Sequence, residues 1–249
     1  YKDRFYITDY TNTLKSFLIK NGKEIWNYKT DSSFIKSQKK LSIAIKDQMI
    51  FFNNSIGDIS ALNIDDGRLL WQRPTQNSLI LENSFLFKNS NLVISKEAII
   101  FSNNKNEFYS LNTNSGNLNW KQKINSNISP IIINDIIFTI SNDGYLYLIN
   151  SLKGNIFRVT DIFQNLKNKK SSKASPQGKD LTKLFKKKKK RNKNVTEPQG
   201  FVIAKNKIYM TTSNGYILII DVKSGKTEKY LKINNSKVSK PIIFKNSIY

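Results

Sequence analysis

Apolar runs of four or five residues recur along the chain, separated by short polar turns. Pro130-Ile-Ile-Ile133 is followed by Ile136-Ile-Phe-Thr-Ile140 and, past Asn142-Asp-Gly144, by Tyr145-Leu-Tyr-Leu-Ile149. The same succession returns in Phe201-Val-Ile-Ala204, Lys207-Ile-Tyr-Met-Thr211 and, past Ser213-Asn-Gly215, Tyr216-Ile-Leu-Ile-Ile220. Ile, Val, Phe and Tyr dominate these runs, and no long segment carries a period of 3.6, so each run predicts a β-strand. Gly supplies the positive φ that tight two-strand turns require, and Asn or Asp tolerates it next best.

The runs belong to a larger repeat. Five segments align on one glycine: Ser16 to Trp26 on Gly22, Ala61 to Trp71 on Gly67, Ser110 to Trp120 on Gly116, Leu148 to Arg158 on Gly154, and Ile219 to Lys229 on Gly225. The glycines lie 45, 49, 38 and 71 residues apart, and the longest interval is one ordinary period plus an insertion. Within each period three strands precede the shared glycine, which turns the chain into a fourth strand ending on Trp in three of the five. Four antiparallel strands repeated every 40–50 residues predict an all-β chain of propeller blades, since a β-sandwich does not repeat. The count is five repeats, the first incomplete, with a sixth beginning at Pro241. Because the chain opens and closes inside strands, we expect residues 1–249 to be one propeller truncated at both ends, carrying about five to six blades.

Ala61 to Trp71 reads A-x-N-x-x-D-G-R-x-x-W and resembles the tryptophan-docking motif of quinoprotein-type propellers, A-x-D-x-x-T-G-K-x-x-W. Residues 110–120 match it nearly as well, and residues 16–26 match its second half. The fourth and fifth repeats keep the Asn or Asp and the Gly but place Arg158 and Lys229 where Trp would stand. The resemblance implies a ring, often of eight blades. It also implies that Trp26, Trp71 and Trp120 pack between blades against the docking glycine of the adjacent repeat. Gly22, Gly67, Gly116, Gly154, Gly225 and Ala61 would then be structural. An indole suits that task because it buries a large area and still donates one hydrogen bond.

Composition separates the branches of this family. Among 249 residues there is no His and no Cys, which excludes Ser-His-Asp and Cys-His nucleophiles and thiolate or imidazole metal sites. The pyrroloquinoline quinone-dependent dehydrogenases of the family need a calcium site of carboxylate and amide oxygens, an Asp base and often a vicinal Cys pair. Here Asp58, Asp65, Asp66, Asp143 and Asp221 fall mostly in turns, and no such constellation is visible. The chain is more similar to the non-enzymatic BamB branch, which implies no cofactor. That resemblance implies a periplasmic scaffold anchored to the outer membrane by an N-terminal lipid beyond this sequence. Its implied partners are the periplasmic domains of an outer-membrane barrel assembly protein and unfolded outer-membrane clients.

The formal net charge of +23 is unevenly spread. Residues 167–193 hold 13 Lys/Arg and one acid, Asp180, so about half the excess is local. The rest is scattered over strands and turns in a chain rich in Ile, Asn and Lys, the profile of an AT-rich coding sequence. Residues 165–198 read as a basic flexible insertion between the fourth and fifth repeats, Ser/Lys/Gly/Pro-rich at first. Leu181, Leu184 and Phe185 then lie on one helical face, followed by Lys186, Lys187, Lys188, Lys189, Lys190 and Arg191. This pattern suits a solvated segment, an anionic membrane surface or an acidic partner loop. It does not suit nucleic acid, whose binding faces interleave cations with aromatics. No run of 18 uncharged apolar residues is present.

Overall fold

In the computed structural model, residues 1–30, 41–75, 89–103, 105–164, 196–245 and 247–249 are described. Every named element among them is a β-strand. β1 (Arg4–Thr8), β2 (Thr13–Leu18) and β3 (Glu24–Lys29) form a three-stranded sheet. Four-stranded sheets follow: β4 (Ile43–Lys46) to β7 (Leu69–Arg73) through β5 (Met49–Asn53) and β6 (Ile59–Asn63), then β8 (Val93–Ser95) to β11 (Leu118–Gln122) through β9 (Ala98–Asn103) and β10 (Glu107–Asn112). The fourth sheet runs from β12 (Ile131–Ile133) to β15 (Ile156–Asp161) through β13 (Ile136–Ile140) and β14 (Tyr145–Asn150). The fifth runs from β16 (Pro198–Ala204) to β19 (Thr227–Lys232) through β17 (Lys207–Thr212) and β18 (Tyr216–Asp221), and a hairpin of β20 (Ile243–Phe244) and β21 (Ser247–Ile248) closes the order. Neighbours in every sheet are consecutive in sequence, so each sheet is a meander that needs only short turns.

The chain divides into two compact units, Tyr1–Thr139 with Ile149–Ile156, and Ile140–Leu148 with Phe157–Tyr249. In the first unit the central strands of the second and third sheets are buried on both faces. Ile50 and Phe52 join a cluster with Leu14, Trp26, Leu62 and Ile64. Phe51, between them on β5, points the other way and joins Ile59, Ala61, Ile99, Phe101 and Tyr109. Successive strand residues face opposite sides, so a sheet covered on both faces must read as a continuous apolar run rather than an alternating one. That is why Met49–Phe52 and Ala98–Phe101 lack the alternation expected of a half-solvated strand. In the second unit Phe201, Ile208, Met210, Leu218 and Ile220 are fully buried together on one face of the fifth sheet, while Val202, Tyr209 and Ile219 on its other face are half-buried.

Two kinds of turn hold the meanders. Between the second and third strands a side chain at the turn's first position caps the backbone: Asp9 accepts from the Thr11 and Thr13 N–H groups, and Asn54 from those of Ile56 and Asp58. The matching position in later repeats is Asn103, Ser141 or Thr212. Between the third and fourth strands stands the shared glycine.

Candidate functional site: the docking turns

All five glycine turns have the same backbone. The glycine N–H donates to the carbonyl four residues earlier, from Gly22 to Leu18, Gly67 to Asn63, Gly116 to Asn112, Gly154 to Asn150 and Gly225 to Asp221, at 2.8–3.0 Å. φ is +68° to +74° at these glycines, a conformation that a Cβ disfavours. In the last four turns the residue before the turn also caps it. The side-chain oxygens of Asn63, Asn112, Asn150 and Asp221 accept backbone N–H groups two or three residues on. The first repeat has Leu18 there and lacks this cap, although Asn21 Oδ1 accepts the Lys23 N–H within the turn at 3.1 Å.

Each capped turn receives a side chain from the repeat before it. The Trp26 indole Nε1 donates to the Ile64 carbonyl at 3.1 Å, Trp71 to Thr113 at 2.9 Å and Trp120 to Ser151 at 2.9 Å. In every case the acceptor is the residue just after the capping Asn. The rings lie flat on the glycines, so that a Cβ built on Gly67, Gly116 or Gly154 would come within 2.5–2.6 Å of a ring carbon. Trp26 and Trp120 are buried and Trp71 half-buried. Each stacks or tilts against an aromatic ring of its own repeat at 5.9 Å: Tyr6, Phe51 and Phe108 respectively.

The fourth repeat reaches the same acceptor with a different group. Arg158 Nη2 donates to the Val222 carbonyl at 2.7 Å, the residue just after Asp221, and Nη1 donates to the Lys223 carbonyl. A Cβ on Gly225 would sit 3.2 Å from the Arg158 guanidinium and 2.7 Å from Thr160 Oγ1. The guanidinium thus replaces the indole without vacating the seat, and its planar fork engages two carbonyls where the indole engages one. Lys229, at the equivalent position of β19, is exposed, and nothing described lies within 4 Å of where a Cβ on Gly22 would stand.

A register shift aims these side chains. Ser16 pairs with Trp26 but Phe17 with Glu24; Ala61 with Trp71 but Leu62 with Leu69; Ser110 with Trp120 but Leu111 with Leu118; Ile219 with Lys229 but Ile220 with Thr227. A β-bulge therefore sits one residue before the docking position in each of these ladders, increasing the local twist. Opposite each Trp stands a small, fully buried residue (Ser16, Ala61 or Ser110), while Ile219 stands opposite Lys229. The motif's leading Ala is thus the cross-strand neighbour of the indole. Neither the bulge nor the shared acceptor carbonyl has a residue-type signature. The conserved phase of the two motif ends is the signal that points to them.

Electrostatics reinforce the fifth turn. Ser224 N–H, the Lys207 ammonium and Ser224 hydroxyl, all bonded to Asp221, hold its carboxyl down at about 2, from an ordinary 3.8. Burial pushes Glu107 up, but its bonds from Lys121, Tyr109 and Asn103 win and hold it below the usual range. Among the described residues no group of acids could hold a metal ion, and no helix is long and apolar enough to cross a membrane. Lys186, Lys187, Lys188, Lys189, Lys190 and Arg191, with the Leu181/Leu184/Phe185 face, lie outside the described residues.

A family described as outer membrane protein assembly factor BamB matches residues 1–160. No curated protein sequence matches the chain. Among solved structures, BamB from Moraxella catarrhalis is similar with a TM-score of 0.65 at 13% identity, covering 100% of this chain and 63% of that one. The computationally designed Ika8 protein is similar with a TM-score of 0.66, also at 13% identity, over 100% of this chain and 64% of that one. The chain therefore spans a little under two thirds of the length of these structures. At this identity the likeness is one of fold, and it agrees with the sheet order in giving a β-propeller of four-stranded blades.

Two sets of outcomes follow from these turns. Gly22→Ala should cost about 1–2 kcal/mol, the penalty for an L-residue in the left-handed region, whereas Gly67→Ala must also displace the Trp26 ring and should cost more than Gly22→Ala. Trp120→Ala should cost about 3–5 kcal/mol, and denaturant midpoints of the three variants give the ranking. Acid sensitivity is the second. Because the folded value of Asp221 lies below its ordinary one, its stabilisation is in place above about pH 4 and is lost as pH falls towards 2. Asp221→Asn keeps the capping oxygen used by the other turns, so its melting temperature should decline less steeply than the parent's over that window and converge with it near pH 2.

Proposed function

Because the chain belongs to the family of the outer membrane protein assembly factor BamB, we propose that it works as a non-enzymatic propeller scaffold in the assembly of outer-membrane proteins. The family match over residues 1–160 carries the reading. The use made of the phased residues supports it: the Trp, Arg and Gly of the repeat motif are engaged in joining one sheet to the next, which is a structural occupation and leaves loops and strand edges for partners. On this reading Trp26, Trp71, Trp120, Gly67, Gly116, Gly154, Gly225 and Ala61 are blade-docking residues, and Gly22 is the equivalent seat of the first repeat. Residues 1–249 are then one propeller, part of a ring of eight blades, with an insertion carrying a basic cluster towards an anionic membrane surface; the insertion expected over 165–198 ends before Pro198, which opens β16.

The partners of such a scaffold are the periplasmic domains of an outer-membrane barrel assembly protein and its unfolded barrel clients, and its place is the periplasm, held at the outer membrane by an N-terminal lipid. Recognition by shape complementarity and strand addition needs no cofactor. In-cell crosslinking of the tagged full-length protein, with purification from the envelope, should recover an outer-membrane barrel bearing periplasmic domains. Recovery of the propeller alone from the soluble fraction would sink the scaffold reading. Pyrroloquinoline quinone with calcium should leave the melting temperature unchanged, because a ligand that binds only the folded state raises it. A saturable rise accompanied by dye-linked alcohol oxidation would put the chain among the dehydrogenases instead.

A further inference from the structure

In a four-stranded meander the turn between the first two strands and the docking turn lie at the same end of the sheet. In the fifth sheet these are Lys205–Asn206, between β16 and β17, and Val222–Lys226, between β18 and β19. The Val222 N–H donates to the Asn206 carbonyl at 3.0 Å and ties the two turns together. They carry three exposed lysines, Lys205, Lys223 and Lys226, and no acid. Asp221 and Glu228, which flank the docking turn, are both taken by Lys207, at 3.1 and 2.6 Å. Among the described residues none of the three lysines is in an ion pair. Arg158 adds a fourth cation beneath them, bonded to the Val222 and Lys223 carbonyls.

The matching turns of the other four-stranded sheets are not basic. The second sheet has Asp47, Asp65 and Asp66 against Arg68, the third Lys96 with Glu97, and the fourth Asp135 with Lys153. Exposure at these tips belongs to the turn itself: Asp65, Asp66 and Ser115 are exposed although their sheets are docked to neighbours on both sides. We propose that this end of the fifth sheet, through Lys205, Lys223 and Lys226, is a contact for an anionic lipid surface. Ammonium groups on flexible stems at the tips of two adjoined turns reach a charged plane together, and each lysine near such a surface strengthens partition about fivefold. A protein partner is a poorer fit, because protein interfaces are depleted in Lys and anchored by Trp, Tyr or Arg, none of which stands in either turn. Nucleic acid would want aromatics among the cations. This contact goes beyond the scaffold role and places part of the described fold, and not the insertion alone, against a membrane.

The test uses the full-length protein, produced without a lipid anchor and with Lys186 to Lys190 changed to Ser so that the other basic cluster does not mask the result. It should sediment with vesicles of phosphatidylcholine and phosphatidylglycerol and not with phosphatidylcholine alone. Lys205→Asn, Lys223→Gln and Lys226→Gln together should weaken that partition about a hundredfold. Lys29→Gln, Lys123→Gln and Lys237→Gln remove the same charge beyond the opposite ends of their sheets and should leave it nearly unchanged. Lys223→Arg with Lys226→Arg should bind like the parent, which guards against a variant that merely fails to fold. Equal partition of the two neutralised triples overturns the proposal, as does equal binding to vesicles without phosphatidylglycerol. So does a result in which the Lys205, Lys223 and Lys226 changes abolish binding of a labelled polyglutamate peptide while vesicle binding persists, since the turns then meet an acidic protein. The two readings fail separately. Lysine-dependent vesicle binding without capture of a barrel assembly protein refutes the scaffold and keeps the lipid contact; capture without such binding does the reverse.

Discussion

A sheet that buries both faces cannot stand alone, and the joint that supplies its neighbour is one side-chain donor seated on one backbone carbonyl. In repeats one to three an indole N–H reaches the carbonyl just past the capping Asn of the next turn, and its ring closes over a glycine that has no Cβ to obstruct it. Everything else in the repeat serves that contact. The turn glycine must have positive φ, the Asn fixes the turn so that the carbonyl points outward, and the bulge one residue earlier twists the outer strand so that the indole faces its seat. Losing the contact would expose the apolar faces on both sides of the joint, since the same rings are part of the clusters that fill it.

The change from Trp to Arg158 alters the physics of one joint without altering its geometry. An indole contributes chiefly through buried apolar area and only secondarily through its hydrogen bond. A guanidinium contributes less apolar area but makes charge-assisted bonds, each worth roughly 1.5–3 kcal/mol when well placed. It finds two carbonyls where the indole finds one. Its Nε, by contrast, is buried without a partner among the described residues, and an unsatisfied buried donor costs about 1–3 kcal/mol. The fourth joint therefore rests on a balance of polar terms, which salt and denaturant act on differently from a packed ring.

What was legible in the sequence was whatever depends on residue type. The glycines announced the turns because only they accept the backbone conformation without strain, and the phased tryptophans announced a packing role because their spacing to the glycine is fixed. Strand positions followed from apolar runs, although the double burial of β5 and β9 made them look continuous, where a half-exposed strand would alternate. What was not legible depends on backbone atoms. The bulge before each docking position leaves no composition signal, since the extra residue is Ile25, Leu70, Asn119 or Glu228 in different repeats. The acceptor is a main-chain carbonyl on Ile64, Thr113, Ser151 or Val222, and any residue can supply one. Read from its letter alone, Arg158 is a lost tryptophan. Only the acceptor identifies it as a replacement.

The same backbone logic explains how the motif can erode and the joint persist. The first turn has Leu18 where the others carry Asn or Asp, and yet Gly22 donates to Leu18 at 2.9 Å and Leu18 N–H to Lys23, as in every other repeat. Two backbone bonds around a positive-φ glycine, with Asn21 accepting the Lys23 N–H, are sufficient for the shape, and the cap from the residue before the turn adds rigidity to it. A donor that reaches the carbonyl is sufficient for the joint, and ring burial adds stability to it. Selection on such a repeat therefore holds the glycine most tightly, the donor's reach next, and the donor's identity least. That order accounts for a chain that has kept all five glycines while its docking residues read Trp, Trp, Trp, Arg and Lys.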